Sequence, residues 1–395
     1  MSKIEQMITE LCPNGVEYKY LWELTAWDKR FNAVDNSKQT KIIKYPYALA
    51  NVLKDMETLD GDVYLLSTGN YEGWTTEKKA GEYLCDGEVV TIPWGGTANV
   101  QYYRGKFVTA DNRLATSLDT NVLDNKFLFY FMLNSTDLIQ SFYRGSGIQH
   151  PNMAQVLDMQ IPVPPLVIQR EIVQVLDNFT ELEAELEAEL EAREKQYEYY
   201  RNQLLTFTPS HMNTVSYKTL GEVCDVFTGG EAPKNCIKGT EPDEKYKYPI
   251  FANGAEVYGY TDDYQIKKDA TTISSIGANT GAIYYRKAYF TPIIRLKVLV
   301  PKKDDLLSRY IFHYLSSIEI SSKKSSVPNM NADDVKKIKI SIPSLEVQIR
   351  IVSILDKFDT LVNDISVGLP AEIKARRQQY EYYRNKLLTF KEAAK

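Results

Sequence analysis

The segment QYEYYRNQLLTF at 196–207 returns as QYEYYRNKLLTF at 379–390, with eleven of twelve residues identical at a spacing of 183. That spacing exceeds the roughly 20 to 50 residues of solenoid repeats, so the repeating object is a whole domain with its helix. The correspondence runs further. IPVPPLVIQREIVQVLDNFTEL at 161–182 matches SIPSLEVQIRIVSILDKFDTL at 341–361, where Pro164, Leu166, Gln169, Ile172, Leu176, Asp177 and Phe179 face Pro343, Leu345, Gln348, Ile351, Leu355, Asp356 and Phe358. VEYKYLWEL from Val16 corresponds to VSYKTLGEV from Val215, and HPNM ending at Met153 to VPNM ending at Met330. The two copies begin and end alike, and diverge over residues 25–145 and 224–323.

Proline disfavours helix at IPVPP and SIPS, and apolar residues then recur at helical intervals, so each copy is predicted to end in a long helix. In the first, Leu182, Leu186 and Leu190 repeat every four residues and Tyr197, Tyr200 and Leu204 prolong the stripe. A continuous helix over 169–205 would measure roughly 55 Å. In the second, Gly368 and Pro370 predict a break, and the offset between copies rises from 179 to 183. Such a stripe needs a partner, and the other copy's helix offers one in an antiparallel pair. The alternative is that each helix packs only on its own globular region. Within the divergent regions, short alternating runs between turn residues predict small mixed domains rich in strand. GNYEGWT at 69–75 parallels GAEVYGYT at 254–261, and PWGGTANVQYYRGKF parallels SIGANTGAIYYRKAYF, which sets Tyr102, Arg104 and Arg113 opposite Tyr284, Arg286 and Arg295.

The composition, 44% hydrophobic and 25% charged in 395 residues, is that of a soluble globular protein of two or three domains. The longest apolar run, FLFYFML at 127–133, is too short to span a bilayer. Cys12, Cys85, Cys224 and Cys236 lack CxxC spacing and three histidines lie far apart, which predicts no structural zinc site and fits a reducing cytoplasm. The net charge of −5 argues against a nucleic-acid partner until it is divided. Residues 161–207 hold 4 basic and 10 acidic side chains, net −6, whereas 208–343 hold 19 and 15, net +4. Residues 14–160, with 14 and 18, are at −4, so phosphate contacts there need clustered cations.

Catalytic signatures are missing. There is no GxxxxGK[ST] loop, GANTG at 277–281 lacks the GxGxxG spacing and reads as a turn, and no NPPY-like tetrapeptide marks an amino-methyltransferase. PDEK at 242–245 only faintly suggests a nuclease carboxylate pair and reads as a solvated loop. No Ser, Cys and His set resembles a triad. What the divergent regions carry is Tyr, Asn, Thr, Lys and Arg close together in loops, the mixture used on phosphates and base edges. In the first copy the candidates are Asn70, Tyr71, Trp74, Lys78, Lys79, Trp94, Thr97, Asn99, Tyr102, Arg104, Arg113, Arg144 and Gln149. In the second they are Asn253, Tyr258, Tyr260, Lys267, Lys268, Asn279, Thr280, Tyr284, Arg286, Arg295, Lys323, Lys324 and Asn329. For any one of them the plain alternative is a solvated loop side chain. Tyr197, Tyr200 and Arg201, with their copies Tyr380, Tyr383 and Arg384, sit on the helices and suit packing or a partner surface better than base stacking.

Taken together, the two IPVPPLVIQREIVQVLDNF-like segments, the duplicated QYEYYRN endings and the PNM turns resemble the DNA-specificity subunits of type I restriction-modification systems, over nearly the whole chain. The resemblance implies an α+β protein of two target-recognition domains, at 1–160 and 208–340. Helical regions at 161–207 and 341–395 would pair as an antiparallel coiled coil. Each domain would read one half of a bipartite site in double-stranded DNA. The chain would bind no cofactor and catalyse nothing itself. Its implied partners are two modification subunits, which use S-adenosylmethionine, and restriction subunits, which use ATP and magnesium. Two other classes stay open: an enzyme with unrecognised motifs, and a duplicated adaptor that binds protein only.

Overall fold

The computed structural model describes residues 3–69, 71–207, 215–239, 241–318, 330–364 and 366–394. Asn70, Lys323, Lys324 and Asn329 lie outside the described residues. The polypeptide forms two compact units, Met1–Glu185 with Lys374–Lys395, and Leu186–Ile373. The central helix, Leu166–Leu205, gives its first half to one unit and its second half to the other. The distal helical region is likewise divided, and it breaks where glycine and proline predict: Leu345–Asn363 ends and Leu369–Leu387 begins after Gly368. A Cβ at 368 would stand 2.5 Å from the Thr360 carbonyl oxygen, so the backbone passes closer there than any side chain allows. The four extra residues of the second copy fall between Phe358 and Tyr380, the stretch that contains this break.

In the first unit a six-stranded sheet carries the core, in the order Thr25–Trp27, Asn112–Ser117, Cys85–Pro93, Gln101–Thr109, Val63–Leu66, Trp74–Thr75. All neighbours are antiparallel except Val63–Leu66 beside Gln101–Thr109. In the second unit the corresponding strands split into two four-stranded sheets. One is ordered Cys224–Thr228, Lys297–Pro301, Ala270–Ile273, Ile283–Arg286, and the other Cys236–Lys238, Val257–Thr261, Tyr248–Phe251, Thr291–Pro292. A helix covers each principal sheet, Asn125–Asn134 in the first unit and Ser308–Ser316 in the second.

Within each unit the start of one copy's helix packs antiparallel to the end of the other's. In the first, the Phe179 ring stacks on Tyr383 at 5.6 Å, and Glu183 accepts from Arg377 at 2.5 Å. Ile168, Ile172 and Leu176 share a core with Leu387, Leu388 and Phe390. In the second, Phe358 stacks on Tyr200 at 5.6 Å and on Tyr197 at 6.1 Å, and Ile351, Leu355 and Val362 share a core with Tyr197 and Leu205. The repeated YEYY motif therefore closes the unit built by the other copy.

Two matched anchors fix these helices to the covering helix of each sheet. Gln169 is fully buried; its amide donates to the carbonyls of Val122 and Pro164, both at 2.8 Å, and its oxygen accepts from the Asp124 N–H at 2.9 Å. Gln348 repeats the arrangement with Asp305, Pro343 and Leu307. About two turns further, Asp177 accepts from Lys126 at 2.7 Å and from the Tyr130 hydroxyl at 2.5 Å. Asp356 meets Arg309 at 2.6 Å and His313 at 2.7 Å. Burial holds the His313 imidazole below its ordinary pKa. The neutral ring then donates from Nε2 to Asp356 and accepts at Nδ1 from the Tyr197 hydroxyl, 3.4 Å away.

The ladders correct the alignment of the divergent regions. Thr25 and Cys224 open equivalent strands, and their pairings make Ala115 equivalent to Leu299 and Val90 to Thr271. Val90 pairs with Tyr102 and Thr271 with Tyr285. Tyr102 thus corresponds to Tyr285, not Tyr284, Arg104 to Lys287, and Arg113 to Lys297. Side-chain contacts agree: the Tyr102 hydroxyl donates to Glu88 and lies against Phe129, while the Tyr285 hydroxyl donates to Asp269 and its ring faces Phe312. Because strand side chains alternate, a one-residue slip moves every residue to the other face. Arg286 is therefore turned inward, 8% exposed. Its guanidinium donates to the Gly254 and Ala255 carbonyls at 2.6 and 2.7 Å and lies 3.9 Å from the centre of the Phe251 ring. Burial brings its pKa down to about 10, which leaves it charged at neutral pH. The reading of Arg286 as a DNA contact gives way to a structural one.

Two outcomes follow. Gln169→Leu strands three buried backbone groups and should cost about 3 kcal/mol, measured as a lower denaturation midpoint with the Gln348 half unaffected; an unchanged midpoint would discount the anchor. Arg286→Ala should destabilise the second unit by about 3 kcal/mol. Any sequence preference of the folded protein should survive that change, and an altered preference at full stability would restore Arg286 to the DNA-contacting set.

Candidate nucleic-acid interface

The matched central strands, Cys85–Pro93 and Ala270–Ile273, end in loops that differ in length between the copies. In the first unit the strand passes from Pro93 into Trp94, Gly95 and Gly96, and a short hairpin of Tyr143–Arg144 with His150–Pro151 lies alongside. The Tyr143 hydroxyl donates to the Pro93 carbonyl at 2.7 Å, the Gly96 N–H to the Gln149 carbonyl at 2.9 Å, and the Ala98 N–H to the Gln140 side chain at 2.6 Å. Trp94 rests on His150, ring centres 4.7 Å apart, and on the Arg113 guanidinium at 4.1 Å. Arg113 is 1% exposed and is held by Asp111 at 3.1 Å, Asp28 at 3.8 Å and the Asn112 carbonyl at 3.0 Å. Arg113, a DNA contact expected from the sequence, is like Arg286 buried and held by the protein's own groups. Burial raises the Asp28 pKa and Arg113 works against that rise.

The end of the second unit's strand is knit differently. Asn253 accepts from the Ser275 N–H at 2.8 Å and donates to the Ile294 carbonyl at 2.5 Å; the Ser275 hydroxyl donates to the Arg295 carbonyl at 2.6 Å, and the Ser274 hydroxyl to the Asn253 carbonyl at 2.5 Å. These bonds tie three loops together, and they hold Ile294 and Arg295 at φ of 51° and 59°. A β-branched residue in the left-handed region is strained by roughly 1–3 kcal/mol, and strain of this kind gathers at functional sites. The result is that Ile294 and Arg295 are exposed beside the turn that carries Asn279 and Thr280.

The remaining candidates divide by position. Thr97, Arg144 and Gln149 are exposed at the Trp94 end, Arg144 donating to Gln155 at 3.0 Å. Asn99 there is half-buried and reaches the Thr68 carbonyl, Tyr102 points to the covering helix, and Arg104 is exposed midway along its strand. Lys78 and Lys79 lie elsewhere, on the turn whose Glu77 bonds Lys106, about 17 Å down the strand from Gln101 at 3.4 Å per residue. Trp74, against Tyr64, and Tyr71, under Lys54, belong to that side. Lys267 and Lys268 precede the second unit's central strand, at the end opposite Ser275, and Lys268 pairs with Asp304. Tyr258, beneath Lys238, and Tyr260 sit on the second sheet, and Tyr284 lies under Arg286. On the helices Tyr197 is buried and Tyr380 half-buried, Arg201 and Arg384 lie over those rings, and Tyr200 and Tyr383 are partly exposed. Tyr199 and Tyr382 are the more exposed members of the motif. Ile148, Lys29, His150 and Ile294 join the candidates at these loop ends; the one available signal in the sequence was at Ile148, an isoleucine alone among Gly, Ser and Gln in RGSGIQH.

The sequence matches the type I restriction modification DNA specificity domain twice, over residues 29–192 and 212–375. It is 33% identical over 326 residues to a Mycoplasma pneumoniae chain named as type I specificity subunit S.MpnORF89P, covering 78% of this chain and 95% of that one. It is 34% identical to the EcoR124I/EcoR124II specificity subunit of Escherichia coli, covering 70% and 74%. The fold resembles the crystal structure of a type I restriction-modification S subunit from M. genitalium, with TM-score 0.67 and 18% identity over 95% of this chain and 96% of that one. With two copies of the domain across most of its length, the chain belongs to the type I restriction-modification DNA specificity family.

Proposed function

We propose that each unit presents the loops at the end of its central strand to one half of a bipartite site in double-stranded DNA. The observation that carries this reading is the division of labour between matched and unmatched residues. Gln169, Asp177 and Phe179 have their counterparts at Gln348, Asp356 and Phe358, all in packing or anchoring roles, whereas the exposed tips carry different sets: Trp94, Thr97, Arg144 and Gln149 against Asn279, Ile294 and Arg295, with Thr280 half-buried beside Asn279. Equal frames with unequal tips suit two unlike half-sites. Arg and Asn reach base edges through paired hydrogen bonds, and exposed cations such as Arg104 and Lys287 supply phosphate contacts. The name of the E. coli relative, a specificity subunit, supports the same role.

On this reading the paired helices hold two equivalent modification subunits, which bring S-adenosylmethionine, and restriction subunits would bring ATP and magnesium. Glu198, Tyr199 and Asn202 recur exposed as Glu381, Tyr382 and Asn385, which gives two equivalent partners the same surface twice. The helices would also set the spacer between half-sites. One LEAE tetrad advances a helix about 6 Å and turns it about 400°, so its removal nearly preserves the leucine phase. Deleting residues 183–186 should therefore leave a folded complex that prefers a spacer shorter by about two base pairs. Methylation of DNA substrates with graded spacers reads this directly, and an unchanged preferred length would reject the ruler. Steep salt dependence with preference for one bipartite sequence separates DNA reading from a protein-only adaptor.

A further inference from the structure

The loop end of the first unit carries two large apolar side chains that the core does not use: Trp94 is 39% exposed and Ile148 is 71% exposed. They are neighbours, because a Cβ at Gly95 would stand 2.8 Å from the Ile148 Cγ2 and 3.0 Å from the His150 Nδ1. A side chain at 95 would have to displace the Ile148 and His150 side chains. Trp94 is also held in place. Trp94 is backed by Arg113 and His150, and the His150 ring nitrogen bonds the Trp94 carbonyl at 2.9 Å. The Tyr143–Pro93 and Gly96–Gln149 bonds lock the two loops together. Lys29 lies 5.4 Å from the indole centre, and Arg144 is exposed on the same hairpin, so the apolar pair sits among cations suited to phosphates.

We propose that Trp94 and Ile148 form an apolar knob that reads thymine C5-methyl groups in the half-site facing the first unit. This rests on the DNA-reading function above and names the chemistry it uses there. An intact duplex offers one apolar group in the major groove, the thymine methyl. The other apolar target, a base face, is reached only by unstacking. Ladder equivalence puts buried Ser275 where the first unit has Trp94, so the matching strand end of the second unit carries no indole. Methyl reading through these residues is therefore confined to one half-site.

The test uses the full chain co-expressed with the modification subunits of its own locus, on its methylation-mapped site. Each thymine is replaced in turn by deoxyuridine, which lacks only the methyl, and affinity is read by fluorescence anisotropy. The wild-type complex should lose about tenfold in affinity at one or more thymines of a single half-site. Ile148→Ser, at a position with little packing, and Trp94→Ala should bind thymine and deoxyuridine DNA there equally, while Trp94→Phe keeps part of the difference. Thermal denaturation of each variant confirms that it is folded. Selective binding indifferent to deoxyuridine, or variants that retain the full thymine preference, would overturn the knob and leave DNA reading intact. No sequence-selective binding by the wild type would overturn the DNA reading itself.

Discussion

Everything in this chain hangs on one exchange: the phenylalanine that each copy places on its own helix is stacked by a tyrosine from the other. Phe179 on Tyr383 and Phe358 on Tyr200 are the same contact made twice. A long helix with an apolar stripe cannot stand in water by itself, because most helical stability comes from burying that stripe. Here Leu182 stays exposed midway, and it is the helix ends that the opposite copy covers, Ile168, Ile172 and Leu176 against Leu387, Leu388 and Phe390, and Ile351, Leu355 and Val362 against Tyr197 and Leu205. Each unit of this chain is completed by a helix end from the opposite copy.

The buried polar anchors give that exchange its fixed geometry. Stacked rings allow sliding, whereas Gln169 and Gln348 each satisfy three backbone groups in fixed directions, and Asp177 and Asp356 each take two donors from the covering helix. The two copies fill the second anchor with different chemistry, lysine and tyrosine in one, arginine and histidine in the other, while keeping the carboxylate. What the fold requires is an acceptor at that point on the helix. Which donors reach it is left free.

Much of this was legible in the sequence. The repeat, the long helices, the break at Gly368 and the matched Gln169 and Gln348 all rest on local rules of periodicity and backbone chemistry. The divergent regions were harder because identity and register disagree: YYR occurs in both copies, yet hydrogen-bonded ladders align Tyr102 with Tyr285. A sequence does not say whether an arginine faces water or a carbonyl, and Arg113 and Arg286 carry the composition of a binding residue in the position of a strut. Nor does it reveal left-handed backbone at Ile294, which the Asn253 and Ser275 bonds impose from residues distant in sequence.

The ladder register also records where the copies changed length. From Val90 to Tyr102 is 12 residues and from Thr271 to Tyr285 is 14, so the connection after the central strand differs by two, although its flanking strands pair in the same order. The two residues were accepted at the tip while the paired strands on either side kept their register. A lineage built this way can acquire a new reach by lengthening a loop, without waiting for a series of individually tolerable point changes. Its capacity to innovate lies where the polypeptide turns around.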